Sequence, residues 1–241
     1  MTEKFKKKLN ACLFDSLYCD DGLMEEWLEI GADINAVDCR GETILKILCR
    51  KGDIKNVKRL LDKNVDVNLK TFYGDTALMN AVKSQNYDLV SMLLSAGADV
   101  NLTNNKGFTP LFTAVKQCNT AMMELLMTSG AELNIISYAG RTVLMYAIEN
   151  ASEAEVKCLI KNGVNVNFQC EYDGNTALMY ASKLGLLPIV QVLLENGANP
   201  NFKDYAGNTA LSFAMEEGHT YIIKALRKYG ARAKRKPKNV D

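Results

Sequence analysis

The hydrophobic residues of this chain recur in short blocks separated by polar turns. In the block "TVLMYAI" (142–148), Leu144 and Ala147 lie three residues apart, and a second apolar block, "EVKCLI" (155–160), follows after a polar turn. A spacing of three or four residues places side chains on one face of a helix. The pattern therefore predicts pairs of short helices, each with one buried face.

The pairs repeat with a period of 33 residues. The period is marked by a glycine, at Gly41, Gly74, Gly107, Gly140, Gly174 and Gly207. A threonine stands two residues after each glycine and a leucine four residues after it, and each period closes on an asparagine, as in "GADVN" (97–101). The only longer step is the one of 34 residues between Gly140 and Gly174. Recurrence at a fixed period is the mark of a repeat architecture.

Each recurring residue has a physical role in such a unit. Glycine permits the positive φ of a tight turn, and the threonine hydroxyl can cap the helix that follows. Pro110 suits the first position of a helix, where its missing N–H costs nothing. The second helix of each unit ends on a glycine that favours a left-handed cap, and Asn64 replaces this glycine once. Each unit is therefore predicted to be a turn, two short helices and a hairpin extension.

The pattern resembles the ankyrin repeat, with "NKGFTPLFTAVKQ" (105–117) and "SAGADVN" (95–101) as close matches. The resemblance implies an all-α repeat solenoid of stacked helix-turn-helix repeats with β-hairpin fingers. The six repeats span 38–70, 71–103, 104–136, 137–170, 171–203 and 204–233. Residues 1–37 are predicted to form a degenerate N-terminal capping repeat, and 234–241 a basic C-terminal tail.

The chain departs from the family pattern in three places. In the capping repeat, "DGLMEEWLEIGADIN" (21–35) should supply the second helix, with Trp27 in its core. Lys234 replaces the closing asparagine of the last repeat, as a terminal cap would require. The histidine of the family pattern is replaced at Lys46, Met79, Phe112, Met145, Met179 and Ser212. We expect this last departure to weaken a hydrogen-bond network without changing the fold.

Aromatic residues recur on the surfaces that the resemblance assigns to binding. Tyr138, Tyr172 and Tyr205 fall on the turns before the threonine, which project as fingertips in ankyrin repeats, and Cys39 holds the equivalent position in the first repeat. The candidate partner-binding residues are Phe72, Tyr73, Phe108, Tyr138, Arg141, Tyr146, Tyr172, Tyr180, Tyr205 and Phe213.

Two interpretations of these aromatic residues remain open. Tyr146, Tyr180 and Phe213 could simply pack between repeats and shield the backbone of the fingertips. Contiguous exposed aromatic residues more often mark a binding surface, and tyrosine is enriched among interface hot spots. For the set as a whole we favour a surface for a partner, concentrated in the last three repeats.

The charged residues of the first helix in each repeat differ between the early and the late repeats. The exposed positions are basic in the early repeats and mostly acidic in the late ones, at Arg50, Lys51, Lys83 and Lys116, then Glu149, Glu216 and Glu217, with Lys183 as the exception. A partner with acidic residues at one end and apolar residues at the other would fit. Individually, each of these charges is also what any solvated helix face carries.

Composition and motifs argue against catalysis, metal binding and membrane insertion. Nothing near the single histidine, His219, suggests a nucleophile, and the sequence has no phosphate-binding glycine motif and no cluster of metal ligands. Seven cysteines without a C-x-x-C pair suggest reduced thiols in a cytoplasmic compartment. No apolar run is long enough to span a membrane. We expect a soluble, non-catalytic scaffold or adaptor that uses no cofactor and binds another protein or peptide.

The basic ends of the chain leave one alternative open. Four lysines lie within residues 1–8 and five basic residues within 232–241, whereas the whole chain carries a net charge of only +1. The repeats between them are therefore acidic, which makes nucleic acid an improbable ligand of the groove. The run from Arg232 to Lys238 would suit an alternative function as a nucleus-directed or nucleic-acid-associated adaptor.

Overall fold

The computed structural model describes residues 2–19 and 22–232, so the basic tail, including Lys234, lies outside the described residues. Within the described part the chain forms fourteen helices. They are α1 (Glu3–Cys19), α2 (Met24–Ile30), α3 (Ile44–Lys51), α4 (Ile54–Asp62), α5 (Ala77–Lys83), α6 (Tyr87–Ser95), α7 (Pro110–Lys116), α8 (Thr120–Thr128), α9 (Val143–Glu149), α10 (Glu153–Lys161), α11 (Ala177–Lys183), α12 (Leu187–Glu195), α13 (Ala210–Glu216) and α14 (Thr220–Lys228).

The helices belong to two compact units, each built from stacked helix pairs. The first unit comprises residues 1–114 with 129–131, and the second comprises 115–128 with 132–241. Within the first unit α3 packs against α5 and α4 against α6. Within the second, α11 packs between α9 and α13, and α12 between α10 and α14. The prediction of an all-α repeat solenoid is therefore confirmed, with an inner and an outer helix in each repeat.

The predicted turn signals act as expected, and the threonine cap forms at several repeats, although Thr142 makes no side-chain cap bond to α9. Gly140 has a φ of +68° and Asn64 a φ of +56°, both in the left-handed region. The Thr176 hydroxyl accepts a hydrogen bond from the Met179 backbone N–H at 3.3 Å, which caps α11. Pro110 is the first residue of α7.

The β-hairpin fingers are reduced to turns closed by isolated β-bridges in the described residues. These bridges pair Val37 with Thr43, Ile136 with Thr142, and Gln169 with Thr176. Each turn is tightened by a further backbone bond, such as the one from the Gly174 N–H to the Cys170 carbonyl at 2.8 Å. The fingers are therefore short, and the tips of their turns lie at the surface, as at Cys39, Tyr138 and Tyr172.

Other side chains restore part of the network that the missing histidines would form. The backbone N–H of Thr209 donates to Ser212 Oγ at 3.1 Å, and that of Thr176 to Met179 Sδ at 3.4 Å. In the first repeat the buried Lys46 pairs instead with Glu42, with 3.1 Å between Nζ and Oε1. The expected weakening is therefore offset at these repeats.

The N-terminal cap is built differently from the prediction. Its second helix is present as α2, but Trp27 is only half-buried, so placing it in the core was wrong. The reason is the length of α1, whose 17 residues supply a complete apolar face of their own. Leu13 is fully buried on that face, and Met24 is the buried residue of α2.

Asparagine side chains connect each repeat to the next. In the first unit, Asn68 Oδ1 accepts from the Asp99 N–H at 2.8 Å, and Asn68 Nδ2 donates to the Gly97 carbonyl at 3.2 Å. In the second unit, Asn167 does the same with the Asn199 N–H at 2.8 Å and the Gly197 carbonyl at 2.9 Å.

The same connection extends to both ends of the array. Asn201 bridges to the Arg232 N–H at 2.9 Å and the Gly230 carbonyl at 3.1 Å. At the other end, Asn10 in α1 accepts from the Asp33 N–H at 2.9 Å, although the cap has no closing asparagine before it. The closing asparagine is thus a structural connector, and α1 provides a substitute for it.

Replacing Asn167 with alanine should lower the free energy of unfolding by about 1–2 kcal/mol, because the substitution removes two hydrogen bonds between repeats. Urea unfolding followed by circular dichroism measures this change. Asn196→Ala is the matched control, since Asn196 Nδ2 donates to the Val192 carbonyl of the helix that it caps and to no other repeat among the described residues. Equal losses of stability in the two variants would contradict a connecting role for Asn167.

Candidate functional site

The candidate aromatic residues of the second unit form two rows. The fingertip row consists of Tyr138, Tyr172 and Tyr205, and the groove row of Tyr146, Tyr180 and Phe213 on the inner helices. The tyrosines of the fingertip row are 66%, 71% and 68% exposed, whereas the residues of the groove row are half-buried. The fingertip row therefore exposes more aromatic surface than the groove row.

Tyr172 and Tyr205 each pack against the turn of the preceding repeat. A Cβ added to Gly140 would lie 2.8 Å from the ring of Tyr172, and one added to Gly174 would lie 2.7 Å from the ring of Tyr205. The Tyr172 hydroxyl donates to the Tyr138 carbonyl at 2.9 Å. Both turns need glycine for this close approach as well as for their positive φ. One side of each ring is thus held in place while most of its area stays open.

The first unit uses the same contact with a different residue type. Phe72 covers Gly41 so closely that a Cβ there would lie 2.4 Å from the ring. The neighbouring candidate Tyr73 is exposed, whereas Phe108 is half-buried and stacks on Phe112 with 5.3 Å between the ring centres. Phe108 therefore belongs largely to internal packing.

Asn105 replaces an aromatic residue in the third repeat, and the sequence analysis missed it. Its Nδ2 donates to the Phe72 carbonyl at 2.7 Å, and its backbone N–H donates to the Tyr73 carbonyl at 3.0 Å. The polar side chain of Asn105 thus joins neighbouring turns by hydrogen bonds, whereas Tyr172 and Tyr205 join them by ring packing. Alignment of the repeats places Asn105 opposite those tyrosines and would have revealed the substitution.

Basic side chains lie over the groove row. The guanidinium of Arg141 is 5.1 Å from the centre of the Tyr180 ring and forms an ion pair with Glu149. One repeat later, Lys183 Nζ lies 5.6 Å from the centre of the Phe213 ring. Both distances are within the range of cation–π attraction. Arg141, proposed as a binding residue, therefore also connects the inner helices of two repeats.

Asp173 fixes the hydroxyl of Tyr180. Tyr180 donates to Asp173 Oδ2 at 3.0 Å. Burial, followed by this hydrogen bond, raises the pKa of Tyr180 above its usual value. Burial alone would raise the pKa of Asp173, but hydrogen bonds led by the one from Asn175 lower it. Tyr180 therefore stays protonated and Asp173 ionised, so the Tyr180 hydroxyl remains engaged with Asp173.

The predicted division of charge is altered by internal pairing. In the first unit Arg50 pairs with Glu42, with 2.8 Å between Nη1 and Oε2, and Lys51 Nζ donates to the Leu17 carbonyl at 2.5 Å. In the second unit Glu216 and Glu217 are exposed and form no ion pair with any residue that the structure describes. The groove of the second unit therefore offers uncompensated negative charge at the end of α13.

The single histidine packs against the neighbouring repeat. The ring of His219 lies against Gly185, where an added Cβ would approach it to 2.8 Å, and Nε2 is 3.2 Å from the Lys183 carbonyl oxygen. A carbonyl only accepts, so Nε2 carries the proton in this contact. Among the described residues, no three His, Cys, Asp or Glu side chains converge as metal ligands would. No helix within residues 2–19 and 22–232 is both long and apolar enough to cross a membrane.

Glu155 is a buried acid at a position where other repeats have an apolar residue. It is the third residue of α10 and has no solvent exposure. The third residues of the other outer helices from α6 onward are Leu89, Met122, Ile189 and Ile222. Burial raises the pKa of Glu155, with Asn150 and Cys118 opposing the shift, while partial burial and Glu155 raise the pKa of the Cys118 thiol. A thiol with a raised pKa is a poor nucleophile, so this pair does not suggest catalysis.

Replacing Glu155 with leucine should raise the free energy of unfolding at pH 7 by about 1–3 kcal/mol, because the desolvation cost of a buried carboxylate is removed. The folded-state pKa lies above the ordinary value of 4.5 for a glutamate, so folding favours the protonated form. Wild-type stability is therefore lost as the pH rises from about 4.5 through the folded-state pKa. The advantage of the variant should shrink at pH 4. Chemical denaturation at both pH values measures it.

Glu153→Leu in the same helix serves as the control, since Glu153 is partly exposed and pairs with Lys157. Its effect on stability should stay within about 0.5 kcal/mol and change little with pH. An advantage of Glu155→Leu that is the same at pH 4 and pH 7 would contradict a raised pKa for Glu155.

Comparisons with known proteins agree with this architecture. The family model described as ankyrin repeats (3 copies) matches residues 16–104, 96–169, 111–204 and 155–237. An ankyrin repeat domain from Acinetobacter baumannii AYE is 35% identical, with a TM-score of 0.73 over 78% of this chain and 98% of that one. The ankyrin repeat domain of Bcl-3, a member of the IkappaB family, is 27% identical, with a TM-score of 0.78 over 91% of this chain and 96% of that one. No curated protein sequence matches the chain.

Proposed function

Because the chain belongs to the ankyrin repeat family, whose domains are typically non-catalytic modules for protein–protein interaction, we propose that its second unit binds a segment of another protein. The binding surface is the fingertip row together with the groove row. The observation that carries this proposal is the exposure of the fingertip tyrosines, which lie about two-thirds open although each belongs to an ordered turn.

The way these rings are held supports binding rather than packing alone. Tyr172 and Tyr205 are already fixed against Gly140 and Gly174, so little side-chain entropy is lost when a partner covers them. Tyrosine also offers a large apolar area with a polar tip, which is why it is frequent among interface hot spots. A ring needed only to shield a turn would not have to remain this exposed.

The groove row contributes a second, more polar strip beside the fingertips. Arg141 and Lys183 already lie over the rings of Tyr180 and Phe213, so they are less available to an acidic partner. Glu216 and Glu217 remain exposed. The partner that fits best therefore presents apolar side chains to the fingertips and basic ones to the end of α13. The sequence alone suggests acidic residues at one end of the partner and apolar residues at the other. The seven free cysteines support a reducing compartment such as the cytosol for this function.

The double variant Tyr172→Ala, Tyr205→Ala should weaken binding of the partner by about 1–4 kcal/mol per residue, because two pre-positioned aromatic contacts are lost. Immobilised wild-type and variant chains, incubated with an extract of the native cell, are compared by quantitative mass spectrometry. The proteins retained by the wild type in the greatest excess are then titrated to obtain Kd.

Tyr221→Ala is the matched control. Tyr221 is 73% exposed, as open as the fingertip tyrosines, but it lies on the outer helix α14. This variant should retain the same proteins as the wild type, and thermal unfolding should confirm that all three chains are folded. If the double variant binds the same proteins with unchanged Kd, or if Tyr221→Ala weakens binding equally, the proposed surface is wrong.

A further inference from the structure

A cleft of about 440 Å³ lies in the first unit between α1 and the first fingertip turn. Ala11 and Phe14 of α1 line one wall, and Val37 and Cys39 line the other. Of these four side chains only Phe14 is buried. The volume is within the range of pockets that bind small ligands or single side chains, and its walls are largely apolar.

The cleft is present because the first fingertip lacks an aromatic residue. Two residues before the turn glycine, four repeats have an aromatic side chain and the third has Asn105. The aromatic residues at this position are Phe72, Tyr138, Tyr172 and Tyr205. Phe72, Tyr172 and Tyr205 each extend back over the preceding turn. The first repeat has Cys39 here, and its short side chain leaves the space toward α1 unfilled.

The walls of the cleft are held in position by hydrogen bonds. Tyr18 of α1 donates to Asp38 Oδ2 at 2.6 Å, and Asp38 Oδ1 accepts from the backbone N–H groups of Arg40 and Glu42, each at 2.8 Å. Burial and the bond to Asp38 raise the pKa of Tyr18 to about 12, so its donor persists over the physiological range of pH. The helix and the turn are thereby connected at one end of the cleft, which keeps the space between them open.

The rim of the cleft carries balanced charge. Its charged residues are Lys7, Asp15, Asp38 and Arg40, two of each sign. An ion of either sign would be attracted by two of these residues and repelled by the other two. An uncharged ligand avoids this cost and still gains from the apolar walls.

From the vacant aromatic position, the apolar walls and the neutral rim, we propose that this cleft binds an uncharged aromatic side chain, phenylalanine or tyrosine, from a partner protein. The incoming ring would take the place that an aromatic residue at position 39 would fill. None of the cleft residues belongs to the fingertip row or the groove row, so this site is independent of the function proposed for the second unit.

Cys39 provides the test, because its thiol lines the cleft. Two short peptides are used as probes, each with one cysteine in a mixed disulfide, and they differ only in a phenylalanine or a serine beside that cysteine. The protein thiolate attacks the disulfide, the peptide is transferred to Cys39, and the other half leaves as a thiol. Mass spectrometry with peptide mapping then gives the reductant concentration at which half of the peptide is released.

Two variants isolate the position of attachment. Cys19→Ser with Cys118→Ser leaves Cys39 as the exposed cysteine among the described residues, and Cys19→Ser with Cys39→Ser leaves Cys118. Release of the phenylalanine peptide from Cys39 should require about tenfold more reductant than release of the serine peptide, as expected for partial burial of one ring. At Cys118 the two peptides should be released equally.

Ala11→Phe provides the final comparison, because Ala11 is exposed in α1 and the larger side chain would fill the cleft. In this background the preference of Cys39 for the phenylalanine peptide should fall to that of Cys118. The proposal is overturned if the preference is equal at Cys39 and Cys118, or if it persists unchanged when Ala11→Phe fills the cleft.

Discussion

The contact between one repeat and the next governs this structure, and the closing asparagine is its most regular element. Asn167 holds two backbone groups of the following repeat with a single amide, accepting from the Asn199 N–H and donating to the Gly197 carbonyl. Repeats of this kind contact only their neighbours, so such connections set the spacing of every turn and helix in a unit. Asn10, outside the repeats, likewise accepts from a backbone N–H, that of Asp33, so α1 supplies one of the two bonds.

The binding surface follows from this fixed spacing. Once neighbouring turns are held at one distance, the ring of a fingertip tyrosine reaches the glycine of the turn before it, as Tyr172 reaches Gly140. The same spacing places Arg141 over Tyr180 on the inner helices. Tyr172 and Tyr205 are therefore each both a connector between repeats and an exposed surface, so for these two rings the packing and binding interpretations are compatible.

The period, the turns, the caps and the helix pairs could be predicted from sequence because each depends on residues close together in the chain. Contacts between repeats could not be predicted in the same way, because they join residues that are far apart in the chain. Trp27 was predicted to form the core of the capping repeat, but the apolar face of α1 around Leu13 forms that core instead. Glu155 reads as an ordinary charged residue of a helix, and only its alignment with Leu89 and Ile189 reveals a buried position. The candidate binding residues themselves remain predictions, since exposure identifies a surface and not its partner.

The central claim is that partners contact the fingertip side of the second unit and not its outer helices. Photo-crosslinking tests this most directly, with p-benzoylphenylalanine introduced at Tyr172 in one chain and at Tyr221 in another. Both positions are exposed to a similar extent, 71% and 73%, so they differ mainly in the surface they sample. The account predicts that a protein from the native cell becomes crosslinked through position 172 and not through position 221. Crosslinking through position 221 alone would contradict it.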